Sequence, residues 1–367
     1  MYISKLEVTN IRNLQNVRLS PTSHINFIVG ENGSGKTSLL EAVYLLAHGR
    51  SFRTPEFKKV VTKNEKSSIV FGRLQSGESN IALGIQKSIS GNTIVKIDGK
   101  VQSKMSSIAS LMPAMIIEST SLELIDSGPS IRRSVLDWGM FHVEHEFLTL
   151  WQQYKKAYRQ KLALLKSRQK PFPMNELNYW NQLLAELGDK YTEFRKRYIK
   201  FLNESFLQVL NKYFKLDIPV TLQYRSGWNE DKWFSLHDCL IGNQNVEVER
   251  QACLYGPHRA DLEIRWGDTL GRDICSRGQK KLLLYGVRLS QIALLAELKN
   301  TETVLLLDDL PAELDHINID RITQFLNDFP CQTFITAVNE SSVRSSPLSK
   351  LENHCMFHVE HGVVSSV

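Results

Sequence analysis

The stretch Ile25-Asn26-Phe27-Ile28-Val29-Gly30-Glu31-Asn32-Gly33-Ser34-Gly35-Lys36-Thr37-Ser38-Leu39-Leu40 decides the fold. Ile25 to Val29 is a short apolar run, so the chain enters Gly30 from a strand. Residues 37–47 are rich in Leu and Ala, with no Gly or Pro until Gly49, so a helix leaves the loop. Between the two, Gly30-Glu31-Asn32-Gly33-Ser34-Gly35-Lys36-Thr37 fits GxxxxGK(S/T) in full, in the strand, loop, helix setting the motif requires. Glycines let the backbone wrap closely, so that amide N–H groups point at phosphate oxygens, and the following helix N-terminus favours negative charge. The loop therefore predicts ATP, with Lys36 on the β- and γ-phosphates and the Thr37 hydroxyl on Mg²⁺.

Outward from this loop, Tyr2, Ile3, Leu6 and Val8 open the chain as a strand. Between Val60 and Val101, short alternating stretches separated by Gly, Ser and Asn predict antiparallel strands and hairpins. From about Phe147, Trp151, Tyr154, Tyr158, Leu162 and Leu165 recur at spacings of three and four, which predicts an amphipathic helix. Pro171-Phe172-Pro173 interrupts it, and Trp180, Leu183, Leu187, Tyr191, Phe194, Tyr198 and Phe201 mark a second helix, making an antiparallel hairpin. A third helix over residues 282–298 precedes the run Val304-Leu305-Leu306-Leu307.

That run ends in Asp308-Asp309, as expected of a buried parallel strand whose carboxyl end opens onto a ligand crevice. Asp308 is expected to hold the Mg²⁺ shell and Asp309 to orient or deprotonate the attacking water. Upstream, Ser276-Arg277-Gly278-Gln279-Lys280-Lys281 stands just before a helix. Alone it reads as a helix N-cap with a turn glycine, although it is also similar to an altered ABC signature, LSGGQ.

The order of phosphate loop, signature, acidic strand and Glu313-Leu314-Asp315 joins further segments. These are Asn10-Ile11-Arg12-Asn13-Leu14, Gly49-Arg50-Ser51-Phe52-Arg53-Thr54, Gly128-Pro129 with Arg132-Arg133, Leu136-Asp137-Trp138, and Tyr255-Gly256-Pro257-His258-Arg259-Ala260-Asp261-Leu262. Together they make the chain resemble, over nearly its whole length, the RecF family of ABC/SMC-type ATPases.

The resemblance implies an α/β fold: an ABC-ATPase/SMC-like head with a mixed β-sheet around the phosphate-loop helix, plus a helical second lobe. The head would take residues 1–110 and 250–367 and the lobe 111–249. It implies an ATP-dependent homodimer in which Ser276 of one copy touches the γ-phosphate held by Lys36 of the other. Arg277 and Asp315 complete that shared site, and Gly278 and Gln279 count among its nucleotide-binding residues. It implies a weak ATPase acting in DNA replication, damage repair, recombination and the SOS response. Its DNA partners would be double-stranded DNA and single-strand/double-strand gap junctions; its protein partners would be RecR, with RecO and RecA, which it helps load onto single-stranded DNA. Two features depart from ABC proteins generally: Asp309 stands where most carry Glu, which predicts slow hydrolysis, and no His follows Gln332-Thr333-Phe334-Ile335-Thr336-Ala337. Thr336 is the substitute γ-phosphate sensor. The Q-loop Gln is also missing from residues 115–120, where Glu118 is the nearest polar residue.

Composition narrows the alternatives. With 367 residues, 42% hydrophobic and 23% charged, the chain is of ordinary globular make-up. Its apolar runs fall far short of the roughly 20 residues a spanning helix needs, and its opening lacks a secretory pattern, which predicts a cytoplasmic protein without membrane association. Five scattered cysteines with no CxxC pair argue against a disulfide framework or structural zinc. The net charge of +6 suits an acidic partner or a mildly basic solvated surface. Lys155, Lys156, Arg159, Lys161, Lys166, Arg168 and Lys170 lie in an acid-free stretch, readable as a track for DNA phosphates or as a solvated helix face. Trp151, Tyr154 and Tyr158 are expected in the core rather than stacked on bases. The hexapeptide Met140-Phe141-His142-Val143-Glu144-His145 recurs as Met356-Phe357-His358-Val359-Glu360-His361; the second copy reads as a strand, and neither is expected to bind metal. The alternative is an SMC-like structural DNA clamp with little ATP turnover, which needs coiled-coil arms of far greater length. A membrane transporter's ATPase is disfavoured by the degenerate signature and the helical hairpin.

Overall fold

The computed structural model describes residues 1–167, 171–329 and 331–366, so Arg168 and Lys170 of the basic stretch lie outside the described residues. In chain order the strands are β1 (Tyr2–Ile11), β2 (Leu14–Leu19), β3 (Ile25–Val29), β4 (Ser67–Ser76), β5 (Ser79–Ser88), β6 (Thr93–Ile97), β7 (Lys100–Gln102) and β8 (Ala114–Ile117). They continue as β9 (Val220–Arg225), β10 (Asp261–Trp266), β11 (Thr269–Leu270), β12 (Val304–Leu307), β13 (Gln332–Ala337), β14 (His354–Glu360) and β15 (Val363–Ser366). The principal helices are α1 (Lys36–His48), α2 (Pro129–Val143), α3 (Phe147–Lys166), α4 (Met174–Val209), α5 (Arg277–Lys299) and α6 (His316–Asp328). The chain forms two compact units, one of Met1–Ser121, Leu210–Lys215 and Leu295–Val367, the other of Leu122–Val209 and Leu216–Leu294.

The first unit sets α1 between two six-stranded sheets. One is antiparallel in the order β2-β1-β4-β5-β6-β7, matching the hairpins read from Val60 to Val101. The other runs β15-β14-β3-β13-β12-β8 and is parallel except at β15. A single core joins Leu6, Val8 and Val70 of the first sheet to Leu306, Phe334 and Phe357 of the second through Leu39, Leu40, Val43 and Leu46 of α1. This explains why α1 is buried almost all round and why every residue of β12 is buried, since a parallel strand covered on both faces has no polar side. Packing is close: a Cβ on Gly72 of β4 would lie 2.5 Å from Leu46 Cδ2.

Register places the site. β13 lies between β3 and β12, pairing Val29 with Ala337 and Leu307 with Ile335, so the chain leaves all three strands at one sheet edge. Loops at the carboxyl edge of a parallel sheet form the usual ligand crevice of such folds.

The second unit contains the antiparallel sheet β11-β10-β9 and the helical hairpin of α3 and α4. Leu164, Leu165 and Leu177 share a cluster near the turn, while the Phe147 and Tyr154 rings meet Tyr191 at 5.6 and 5.5 Å, so the helices run antiparallel. The buried stripe of α4 differs from the aromatic one read from sequence. It runs Leu177, Asn181, Leu184, Gly188, Tyr191, Arg195, Tyr198 and Leu202, leaving Phe201 exposed. Two polar residues lie in this stripe; Arg195 is paired inside through both terminal nitrogens, donating to Pro257 O at 2.6 Å and Asp137 Oδ1 at 2.8 Å, while its buried Nε has no partner. Lys161 corrects the basic track in the same way: it is fully buried and paired with the equally buried Glu247 at 2.5 Å. Tyr154 is in the core as expected, whereas Trp151 and Tyr158 are only half-buried. The first hexapeptide copy ends α2 and the second forms β14. Among the described residues no helix is long and apolar enough to cross a membrane.

Candidate ATP site at the carboxyl edge of the parallel sheet

The loop between β3 and α1 keeps its shape through glycine. Gly33 and Gly35 have φ of +81° and +124°, the region that side chains disfavour, and a Cβ on Gly30 would stand 2.2 Å from Val359 O of β14. Gly362 N donates to Ser34 O at 2.9 Å, and Asn13 Nδ2 donates to the same oxygen at 2.8 Å. Beneath, the fully buried Glu41 of α1 accepts from Arg12 Nε and Nη2 at 2.8 and 2.9 Å and from Ser51 Oγ at 2.5 Å. The Asn10–Leu14 and Gly49–Thr54 segments, distant in sequence, are thereby tied to the phosphate-loop helix.

Lys36 is buried and folds back on the loop, its Nζ donating to Gly30 O at 2.6 Å and Glu31 O at 2.9 Å. Burial lowers its pKa, opposed by the carboxylates of Asp309 and Asp308. Thr37 Oγ1 lies 3.1 Å from both oxygens of Asp308. Ser34 Oγ is buried with no hydrogen-bond partner, and Glu31, Asn32 and Gly33 are exposed.

Across the edge, Thr336 Oγ1 donates to Asp308 Oδ1 at 2.7 Å and accepts from Asp309 N at 2.7 Å. Thr336 is fully buried and its single proton is committed to Asp308. Here the hydroxyl fixes the acid pair. Asp309 sits at φ +55°, tolerated by Asp better than by most side chains, and its Oδ1 is buried without a hydrogen-bond partner. Burial raises its pKa, helped by the charge of Asp308 and opposed by Lys36. An orphaned buried acceptor costs about 1–3 kcal/mol, a cost that a ligand or water partner would remove.

Thus Gly30–Thr37, Asp308 and Asp309 come together in one cluster in the first unit. Thr37 and Asp308 offer the hard oxygen donors that Mg²⁺ prefers. Glu118 follows β8 on the same edge, where Asp308 N donates to Ile117 O at 3.0 Å. Asp315 caps α6, accepting from Asn318 N at 2.8 Å. Ser276, Arg277, Gly278 and Gln279 belong to the second unit and open α5. There Ser276 N donates to Gln279 Oε1 at 2.8 Å and Gln279 N to Ser276 Oγ at 3.3 Å, a reciprocal cap that leaves Ser276 and Arg277 exposed. The supports Asn13, Glu41, Val359 and Gly362 had no local signal beyond the quoted motifs and a glycine after a strand.

The sequence profile of the RecF/RecN/SMC N terminal domain matches residues 2–364. The chain is also 36% identical over 362 residues to the DNA replication and repair protein RecF of Pseudoalteromonas translucida (strain TAC 125), covering 99% of both. It belongs to the RecF family of DNA replication and repair proteins. The RecF of Acinetobacter baylyi (strain ATCC 33305 / BD413 / ADP1) is 38% identical over 371 residues, covering all of both chains. Among solved structures, that of the recombination mediator protein RecF-ATP in the RecFOR pathway superposes with a TM-score of 0.88 at 27% identity, covering 100% of this chain and 97% of that one. An Smc head bound to the C-winged helix domain of ScpA superposes at 0.60 with 15% identity over 100% and 97%, a likeness of fold alone. The mixed α/β architecture is therefore the one shared by RecF and SMC heads.

Proposed function

We propose that this RecF-family chain is an ATP-dependent, DNA-binding repair and recombination protein, in which ATP closes two copies on duplex DNA and slow hydrolysis releases them. The observation that carries this is the cluster at the sheet edge: Thr336 locks Asp308 and Asp309, Thr37 faces Asp308, and the oxygens of Ser34 and Asp309 are buried and unpartnered beside the loop. A phosphate oxygen would accept from the Ser34 hydroxyl and the attacking water would donate to Asp309, and a related RecF is described in complex with ATP.

In this reading the loop amides and Lys36 grip the β- and γ-phosphates. Lys36 exchanges its two carbonyl acceptors for phosphate oxygens, and the nearby anion favours the ammonium that burial disfavours. Thr37 and Asp308 hold Mg²⁺, which when bound neutralises charge developing on the phosphate oxygens. Asp309 orients the attacking water and accepts its proton, the raised pKa making it a better base than an ordinary carboxylate. Being one methylene shorter than Glu, it gives slow turnover. The exposed Ser276 and Arg277, with Gly278, Gln279 and Asp315, complete the site of the second copy. The RecFOR setting of the related structures supports work with RecR and RecO at gap junctions, assisting RecA loading onto single-stranded DNA.

Sedimentation with ATP, ADP and gapped DNA tests the scheme. A dimer with ATP that carries DNA, and a monomer with ADP, are the expected results; a monomer at saturating ATP and Mg²⁺ refutes it.

A further inference from the structure

The 20-residue helix α3 carries five cations and no acid. Lys161 is neutralised internally by Glu247. Lys155, Lys156, Arg159 and Lys166 have no carboxylate partner among the described residues, and all but the half-buried Lys155 are exposed. In the same unit Lys196, Arg197 and Arg225 are matched with Glu230, Glu144 and Glu263, whereas Lys190, Lys200, Lys232 and Arg250 are not matched among the described residues; what sets α3 apart is that its exposed cations share one helix with no acid on it. An uncompensated row of charge on one helix pays a repulsive cost that a polyanion removes.

A second element extends the row. Arg259, exposed and without a partner among the described residues, ends the turn Pro257–Arg259. That turn is held against the hairpin by two contacts, Arg195 donating to Pro257 O and the Tyr154 hydroxyl lying 2.8 Å from His258 Nδ1, and the residue after it is held by α2, whose Arg133 Nη1 donates to Ala260 O at 2.7 Å. The His258 ring packs 4.6 Å from that of Tyr158, which lies one residue before Arg159 on α3. The turn therefore presents Arg259 beside the α3 cations from a rigid mount, so little entropy is lost on contact.

We propose that the outer face of α3, with Arg259, is a docking surface for the phosphate backbone of duplex DNA. Lys155 to Lys166 covers about 16 Å of helix axis, long enough to follow several phosphates of one strand. A shallow cavity of about 430 Å³ lies along it, lined by Trp151, Gln152, Lys155, Lys156, Arg159 and Gln160. Duplex fits better than single strand because the one aromatic lining it, Trp151, has Lys155 Nζ over its ring at 4.2 Å, leaving that face closed to a stacking base. The cations of this face suit phosphate oxygens, contacts that carry no sequence information, so binding through them is independent of sequence.

This inference rests on the DNA-binding reading above, and fluorescence anisotropy on a labelled duplex separates the two. Wild type, the triple variant K155Q/K156Q/R159Q, R259Q and the control K196Q are titrated with ATP over about 50–200 mM salt. Each lost phosphate contact lowers the slope of log K against log salt by about 0.9, so the triple variant should lose nearly 3 in slope and roughly 500-fold in affinity near 0.1 M. R259Q should lose about 1 in slope and K196Q nothing, with ATP-dependent dimerisation and melting temperature unchanged throughout. A triple variant with the wild-type slope, or a K196Q defect as large as that of R259Q, overturns the assignment to this face. Absence of wild-type binding at the lowest salt removes the DNA reading itself and the surface with it.

Discussion

Replacing Thr336 by Val keeps the shape of a fully buried side chain and deletes one hydroxyl, which makes it a sharp test of how the acid pair is held. Two bonds are lost, the 2.7 Å donation to Asp308 and the 2.7 Å acceptance from Asp309 N. The stranded amide costs about 1–3 kcal/mol, and the bond to a charged acceptor contributes about 1.5–3 kcal/mol. Thr37 still donates to Asp308, so part of the second loss is recovered. We therefore expect about 3 kcal/mol off the unfolding free energy, read as a lower urea midpoint at constant slope. The functional loss should be larger than stability alone explains. Freed from Thr336, Asp308 is held by Thr37 alone and the Asp309 backbone leaves its left-handed conformation, so Mg²⁺ dependence and turnover should worsen about 10- to 100-fold, as for other outer-shell partners. Thr336→Ser retains the hydroxyl and should restore both. If the Val protein titrates with Mg²⁺ like wild type, or Ser is as damaged as Val, Thr336 does not position the acids.

The remaining predictions address the pair, the dimer and the correction to the basic track. Asp309→Asn should trap the ATP dimer, seen as a persistent dimer band after ATP chase; normal turnover excludes Asp309 as base. The same variant should be more stable than wild type at neutral pH. The folded pKa of Asp309 is raised, so wild-type stability falls as pH climbs through the window above the ordinary carboxylate value, and the advantage of Asn vanishes below it. Ser276→Arg should bind ATP normally yet remain monomeric in sedimentation, whereas Lys36→Ala should lose binding and dimerisation together. Lys161→Met should cost about 3–5 kcal/mol by stranding Glu247, and Glu247→Gln added to it should recover most of that in urea melts, because Leu254 N keeps its acceptor.

What the linear chain announced, and what it hid, follows from the range of the interactions involved. A phosphate loop needs glycines at fixed offsets because its chemistry is backbone chemistry within eight residues, and the fully buried strand β12 needs an unbroken apolar run; both were legible. The order β14-β3-β13-β12 was not, since parallel neighbours 300 residues apart leave no local trace, and with it went the role of Val359 and Gly362 in backing the loop. The bracing role of Thr336 was hidden for the same reason: its strand lies between the loop strand and the acidic strand, which sets its hydroxyl against Asp308. Buried cations defeated the pattern differently, because periodicity assigns every Lys and Arg to the exterior, while Lys161 and Arg195 lie inside with carboxylates for company.

The repeated hexapeptide isolates this effect. Met-Phe-His-Val-Glu-His closes a helix at 140–145 and forms a strand at 356–361, with identical intrinsic preferences. The first copy continues a helix already running from Pro129, whose Met140 reaches the core of its unit. The second is gripped on both sides, Met356 to His358 along β3 and Phe357 to Glu360 along β15, burying Phe357 and Val359 by alternation. Flanking helix and neighbouring strand thus outweigh local propensity, whose full span across residues is under about 1 kcal/mol each. The same logic gives the second copy its functional consequence: only as a strand beside β3 does it set the Val359 carbonyl against Gly30, and a substitution such as Gly30→Ala should collapse the loop by driving those atoms together.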